Sequence, residues 1–181
     1  MIQILIILIP IIIMTMLVPQ LQKRLDARRF RLLMVLAAAV YLLGNLYFTL
    51  LSRVPETGVH LELAPFRTYG ILFEKQDDTG EEMTQITGLA ASFLKDTLPI
   101  HGLILNVLLY YPLGYLLVIL FPKMRMWQVI AVGAACSLVT EILQYAFSMG
   151  WCEMDDLIHN TLGAAIGMRV RLRQCRRAGT K

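Results

Sequence analysis

The residues of this chain best equipped for chemistry are acids, amides and arginines set among long apolar runs. Glu141 is the most telling, because it stands inside the apolar stretch Trp127–Ser148. A carboxylate near the centre of a bilayer costs about 2.5–3.5 kcal/mol even on lenient insertion scales. It must therefore face protein, and be protonated, paired or hydrated. Gln144 follows on the same helical face. Asp155 and Asp156 come next in an acidic connection, and Asn160 lies one turn beyond Asp156. Asn106 occupies an earlier apolar stretch, and Arg53 and Arg67 are candidate cationic partners for the buried acid. Carboxylates sharing a site can act as general acid and base. Glu141, Asp155 and Asp156 are thus the candidate catalytic residues, and Arg53, Arg67, Asn106, Gln144 and Asn160 the candidate ligand-binding ones. Two readings of Glu141 stay open, an acid/base or binding carboxylate and a polar peg that locks helix packing. Hydrogen bonds between membrane helices contribute only about 0.6–2 kcal/mol, a modest return for so costly a group.

Five apolar stretches must position these groups: Ile2–Val18, Leu32–Leu51, Leu103–Phe121, Trp127–Ser148 and Leu157–Val170. A spanning helix needs about 20 mostly apolar residues, because the hydrocarbon core is about 30 Å thick. The pattern predicts an all-α polytopic membrane helix bundle with five transmembrane helices, forming one domain over residues 1–181. Four of the helices carry a polar or small stripe at helical spacing. The stripes are Tyr41, Asn45, Phe48 and Ser52; Asn106, Tyr110 and Gly114; Ser137, Glu141, Gln144 and Ser148; and Asp156, Asn160, Gly163 and Gly167. One polar face per helix predicts that the faces meet in one place, while the opposite halves of the helices read as almost wholly apolar. The last stretch rises only about 21 Å, so either the bilayer thins there or Asp155 and Asp156 lie below the surface. Capping of the helix start is the alternative role for these two acids.

The charges between the stretches sort by sign. Of the 17 basic residues, 13 follow the first, third and fifth stretches. The segment from Arg53 to Asp96 holds four basic and eight acidic residues, and the fourth connection holds Glu153, Asp155 and Asp156 with no basic one. The positive-inside rule then predicts an amino terminus outside and a carboxyl terminus in the cytoplasm. The formal charge of +4 does not point to nucleic acid, because the basic residues are juxtamembrane topology signals. They also suit anionic lipids. The first stretch lacks a preceding basic residue and a small-x-small site, so it is expected to be retained as a helix. Topology separates Cys136, Cys152 and Cys175, so no disulfide is expected.

In the one long connection, Thr79 and Glu82 have capping-box spacing, and Met83, Ile86, Ala90, Phe93 and Leu94 recur at helical spacing. Gly80–Leu98 is read as a short amphipathic extracellular helix ended by Pro99. It lies on the outer membrane surface or packs on the bundle. Before it, LELAPFRTY (61–69) reads as a segment dipping to the interface. Gly163 and Gly167 form a small-xxx-small face that lets a neighbour come close. His159 follows Asp155 by one turn, but two ligands are not a metal site. No metal or cofactor is expected, and no nucleotide-binding loop or serine elbow is found.

The segments TLLSR (49–53), LAPFRTY (63–69), NVLLYYPLGYLL (106–117), TEILQY (140–145) and CEMDDLIHNTLGAAIG (152–167) resemble the VanZ-like family of small bacterial membrane proteins. Carried over by position, the family's characteristic residues fall on Arg53, Pro65, Phe66, Asn106, Pro112, Gly114, Glu141, Gln144, Asp155, Asp156, Asn160, Gly163 and Gly167. Of these, Pro65, Phe66, Pro112, Gly114, Gly163 and Gly167 are assigned structural roles. Many relatives carry an Arg just before the Gly that precedes the acidic motif, where this chain has Met149. Any role of that guanidinium falls to Arg53 or Arg67, or is absent. The resemblance implies a cell-envelope role, and its founding member is associated with resistance to teicoplanin. The expected function is an outward-facing intramembrane site for an amphiphilic envelope ligand, such as a lipid-linked cell-wall precursor or a lipoglycopeptide. A transporter or flippase, and a non-catalytic scaffold subunit, are the alternatives. The sequence assigns no oligomeric state.

Overall fold

A computed structural model describes residues 2–51, 60–62, 85–148 and 151–179. It contains five long helices. Helix α1 (Ile2–Arg24) runs through both Pro10 and Pro19. Helix α2 (Ala27–Leu46) starts at the N-cap Asp26, whose side chain accepts from the Arg29 amide, and continues as a π-helical turn over Tyr47–Leu51. Helices α3 (Gln85–Leu120), α4 (Met126–Ala146) and α5 (Met154–Arg177) complete the bundle. The α3–α4 turn is closed by Gln128, whose side chain accepts from the Arg125 amide at 2.7 Å. Helix α4 ends where Ser148 adopts a left-handed conformation, φ 54°.

Four of these helices are long and apolar enough to cross a membrane: 4–24, 27–51, 101–120 and 126–146. Much of the surface of α1 and α2 is apolar and exposed, with Met16, Val40, Leu43 and Leu51 at 65–71%. On a water-soluble domain so large an apolar surface would be anomalous; on a membrane protein it is the lipid face. Helix α5 is long enough, at 24 residues or about 36 Å, but too polar to qualify by composition. It extends beyond the stretch Leu157–Val170 at both ends, which removes the shortfall in length. Its polar side chains are turned inward instead: Asp155, His159, Asn160 and Arg171 are all buried, on one stripe with Gly163, Ala164, Gly167 and Met168.

Two sequence expectations change. The surface helix Gly80–Leu98 was expected to stop at Pro99 and a separate span to start at Leu103. Instead one helix of 36 residues passes through Pro99 and Pro112. A proline interior to a helix removes one amide donor and crowds the preceding turn, yet turns on both sides that are held by their own bonds carry the helix across it. Helix α3 is about 54 Å long, well over the hydrocarbon thickness. Residues 80–84 of the expected surface helix lie outside the described residues. The second change is a two-stranded parallel pair in which β1 (His60–Glu62) lies beside β2 (Trp151–Glu153), with His60 opposite Trp151 and Glu62 opposite Glu153. It ties the α2–α3 connection to the α4–α5 connection. Strands of three residues leave too short a periodic signal to read.

Helix α3 is the hub. It packs most extensively on α5, α4 packs on α5, and α1 and α2 each lean on α3 while touching each other little. Glycine sets the α3–α5 distance. A Cβ at Gly114 would overlap the carbonyl oxygen of Ala164, one at Gly163 that of Val107, and one at Gly167 that of Tyr111. The backbones approach so closely that only a missing side chain fits. Ile11, Val18, Phe30, Met34, Tyr111, Tyr115 and Leu116 form the apolar core beside the basic end.

Candidate functional site

At the opposite end, the polar stripes meet. Glu141 on α4 is 3% exposed, and its Oε2 accepts the backbone N–H of Glu153 at 3.1 Å. Glu153 is the N-cap of α5, and its own side chain makes no capping bond. The first amides of a helix lack intrahelical acceptors and carry the positive end of its dipole. A carboxylate from a neighbouring helix meets both needs. A guanidinium was the partner expected from sequence; Arg53 and Arg67 lie outside the described residues, as do Pro65, Phe66 and Met149.

The amides tie the helices together around this acid. Gln144 Nε2 donates to the Thr49 carbonyl at 3.0 Å, joining α4 to the π turn. That carbonyl is among the last of its helix, where acceptors go without intrahelical donors. Asn160 Nδ2 donates to Ser137 Oγ at 2.9 Å, joining α5 to α4. Asn106 Nδ2 donates to Asp156 Oδ1 at 2.5 Å, joining α3 to α5. Tyr110 and Thr140 share a hydroxyl pair at 3.1 Å between α3 and α4.

These groups enclose a cavity of about 280 Å³ whose wall includes Asn106, Glu141, Gln144, Asp156 and Asn160 together with Thr49 and Thr140. Five of the eight candidate catalytic and ligand-binding residues are thereby in one place. Asp155 is separated from them. It is 3% exposed but does not line the cavity, and it sits one turn before the buried His159. Adjacent residues on a helix point about 100° apart, so only one of two consecutive acids can enter a given cavity. Among the described residues no group of three or more metal-type ligands converges.

An apolar groove of about 540 Å³ runs between α1, α2 and α3, lined by Pro10, Met14, Leu36, Val40, Gly44 and Pro112 among others. Ile7, Phe48 and Leu109 line both the groove and the polar cavity. The two spaces therefore adjoin.

A model of the family described as VanZ/LLP1 matches residues 30–172. The chain belongs to the VanZ/LLP1 family. Protein VanZ of Enterococcus faecium is 32% identical over 65 residues, which cover 36% of this chain and 40% of that relative. No solved structure matches. This family member is thus a multi-pass membrane protein, and the matched span takes in all five cavity residues named above.

A second polar cluster, absent from the sequence expectations, lies near the basic end. Arg171 is 3% exposed; its Nη2 donates to Gln22 of α1 and its guanidinium lies 5.7 Å from the centroid of the Tyr115 ring. Tyr115 donates to Gln174 at 2.6 Å, Gln174 donates to the Thr15 carbonyl at 2.9 Å, and Thr15 pairs with Tyr111 at 3.1 Å. The expectation that these helix halves are almost wholly apolar is therefore corrected. The signal was available: the stripe Asp156, Asn160, Gly163, Gly167 continues in register to Arg171 and Gln174. Counting every arginine past Val170 as a topology signal ended the stripe too early.

Proposed function

We propose that this chain is an envelope protein of the bacterial cell membrane that holds an amphiphilic ligand, its head group in the polar cavity and its chain in the apolar groove. In this reading all five helices cross the membrane, the amino terminus lies outside, and the cavity faces the outer leaflet. The observation that supports it is the shared wall of Ile7, Phe48 and Leu109, which sets a polar pocket directly beside an apolar groove. Such a shape suits a molecule with one wet and one apolar end. A lipid-linked cell-wall precursor or a lipoglycopeptide has that character, and family membership favours a part in resistance to teicoplanin-type antibiotics.

The test uses Gly44→Trp. Gly44 lines the groove, and a Cβ there meets nothing within 4 Å, so a side chain can be introduced at this position to occupy the groove. Purified protein is expected to lose co-purifying amphiphile while keeping its thermal stability. In a susceptible bacterium, any rise in teicoplanin tolerance is expected to fall with it. Unchanged retention in both Gly44→Trp and Glu141→Gln would sink the reading.

A second reading has one observation in its favour: Glu141 and Asp156 line the same cavity. Two carboxylates so placed can divide the roles of acid and base on a bound head group. Here Glu141→Gln is expected to retain amphiphile but to abolish its conversion.

A further inference from the structure

The polar cavity and the apolar groove adjoin, and three side chains line both: Ile7 of α1, Phe48 of the π turn and Leu109 of α3. An amphiphile with its head in one space and its chain in the other has to pass between them. Ile7 is β-branched, which on a helix leaves one strongly preferred χ1 rotamer. Leu109 lies on the hub helix α3, next to the buried Tyr110. Phe48 is the largest of the three and is 39% exposed, so its ring borders the lipid side as well as the two hollows. A change of χ1 between staggered positions carries an aromatic ring through a wide arc. The backbone beneath that ring is pinned. Thr49 Oγ1 donates to the Asn45 carbonyl at 2.8 Å, and the Thr49 carbonyl accepts from Gln144 Nε2 at 3.0 Å. Gln144 is itself part of the cavity wall, so the pin fixes the root of the ring relative to the cavity. Phe48 is held at its root and exposed at its tip.

We propose that Phe48 is the gate between groove and cavity, admitting the head of an amphiphile when its ring swings out to the lipid side. Closed, the ring keeps hydrocarbon chains out of a cavity walled in part by Glu141 and Asp156, groups that are costly to set against lipid tails. The proposal rests on the amphiphile reading and adds to it the residue that controls entry.

The test uses the full chain in liposomes, with its three native cysteines replaced. The reporter is Thr140→Cys, at a position that lines the cavity and not the groove. The probe is N-dodecylmaleimide, an alkyl chain that ends in a thiol-reactive head. Rates are taken relative to Val139→Cys on the exposed face of α4, where the reagent needs no gate. With an open state populated at about a tenth or less, removing the ring in Phe48→Ala is expected to speed labelling at least about tenfold. Phe48→Trp is expected to slow it, and Ile7→Ala and Leu109→Ala to leave it close to the unaltered rate. Should Phe48→Ala fail to fold, the slowing in Phe48→Trp decides. Should Thr140→Cys fail, Leu105→Cys takes its place, since Leu105 also lines the cavity and not the groove. Rates indifferent to Phe48, or raised equally by Ile7→Ala or Leu109→Ala, overturn the gate alone, provided Gly44→Trp stops the labelling. Labelling indifferent to Gly44→Trp, or absent in every Phe48 variant, overturns the amphiphile reading and the gate with it.

Discussion

Glu141 accepts from a backbone amide, and that bond distinguishes its replacements. Glutamine offers the Glu153 N–H the same kind of acceptor, so Glu141→Gln is expected to change stability by less than about 1 kcal/mol. Leucine offers none and leaves a part-buried donor without this acceptor, so Glu141→Leu is expected to cost about 1–3 kcal/mol. Thermal unfolding of the purified variants in one detergent checks the difference; equal losses would mean that the charge, not the accepted bond, stabilises the fold. Arg171 obeys a different logic. Its fork reaches Gln22 while its plane lies by Tyr115, and an ammonium cannot reproduce a planar donor set beside a ring. Arg171→Lys is therefore expected to lose about 1.5–3 kcal/mol, the range for a hydrogen bond to a charged group. Rescue by lysine in the same unfolding assay would refute the clamp and leave Arg171 as a topology signal only.

At the scale of the helix, glycines decide how closely α3 and α5 approach, and they are not interchangeable. A methyl group at Gly163 meets the Val107 carbonyl, which belongs to a helix backbone and cannot step aside. Gly163→Ala is expected to cost at least the 1–3 kcal/mol typical of overpacking, about as much as any single change here. Gly44→Ala and Gly102→Ala meet nothing within 4 Å and are expected to be neutral or to stabilise by about 0.5–1 kcal/mol, since alanine is the better helix former. Denaturation midpoints across this set separate close approach from helix propensity. Ser148 provides a companion case. It holds φ 54° at the end of α4, where a side chain costs about 1–2 kcal/mol. Ser148→Gly is expected to leave stability unchanged or raise it, and Ser148→Val to lower it. The π turn after α2 also has an identifiable function at this scale, since it presents the Thr49 carbonyl to Gln144.

For the whole molecule, two polar clusters lie about 16 Å apart along α5, measured from Asn160 to Arg171 at about 1.5 Å per residue. One is open to a cavity and the other is closed into a network of α1, α3 and α5. The hub of α3 and α5 is tightly joined, whereas α1 and α2 lean on it and leave the groove between them. The charge pattern predicts that cysteines added at the amino terminus and in the 60–80 segment are labelled from outside intact cells, while Cys175 is labelled only after permeabilisation. Exterior labelling of Cys175 would reverse the proposed orientation of the cavity.

Membrane class, the apolar faces of the helices and the expectation that one polar stripe per helix turns towards the others follow from the chain read alone. All of these are local: hydropathy over about 20 residues marks a span, and a 3.6-residue period assigns side chains to a face. What no local rule contains is how far each helix is rotated and how near it stands to the next. Close contact of Gly114, Gly163 and Gly167 with opposing carbonyls sets both for α3 and α5. That rotation admits Asp156 to the cavity and turns Asp155 away from it, and it buries Arg171 rather than leaving it in the tail. One partner of Glu141, a backbone amide at the start of another helix, was equally out of reach, because every residue carries such an amide and only the assembled end of α5 leaves this one in need of an acceptor.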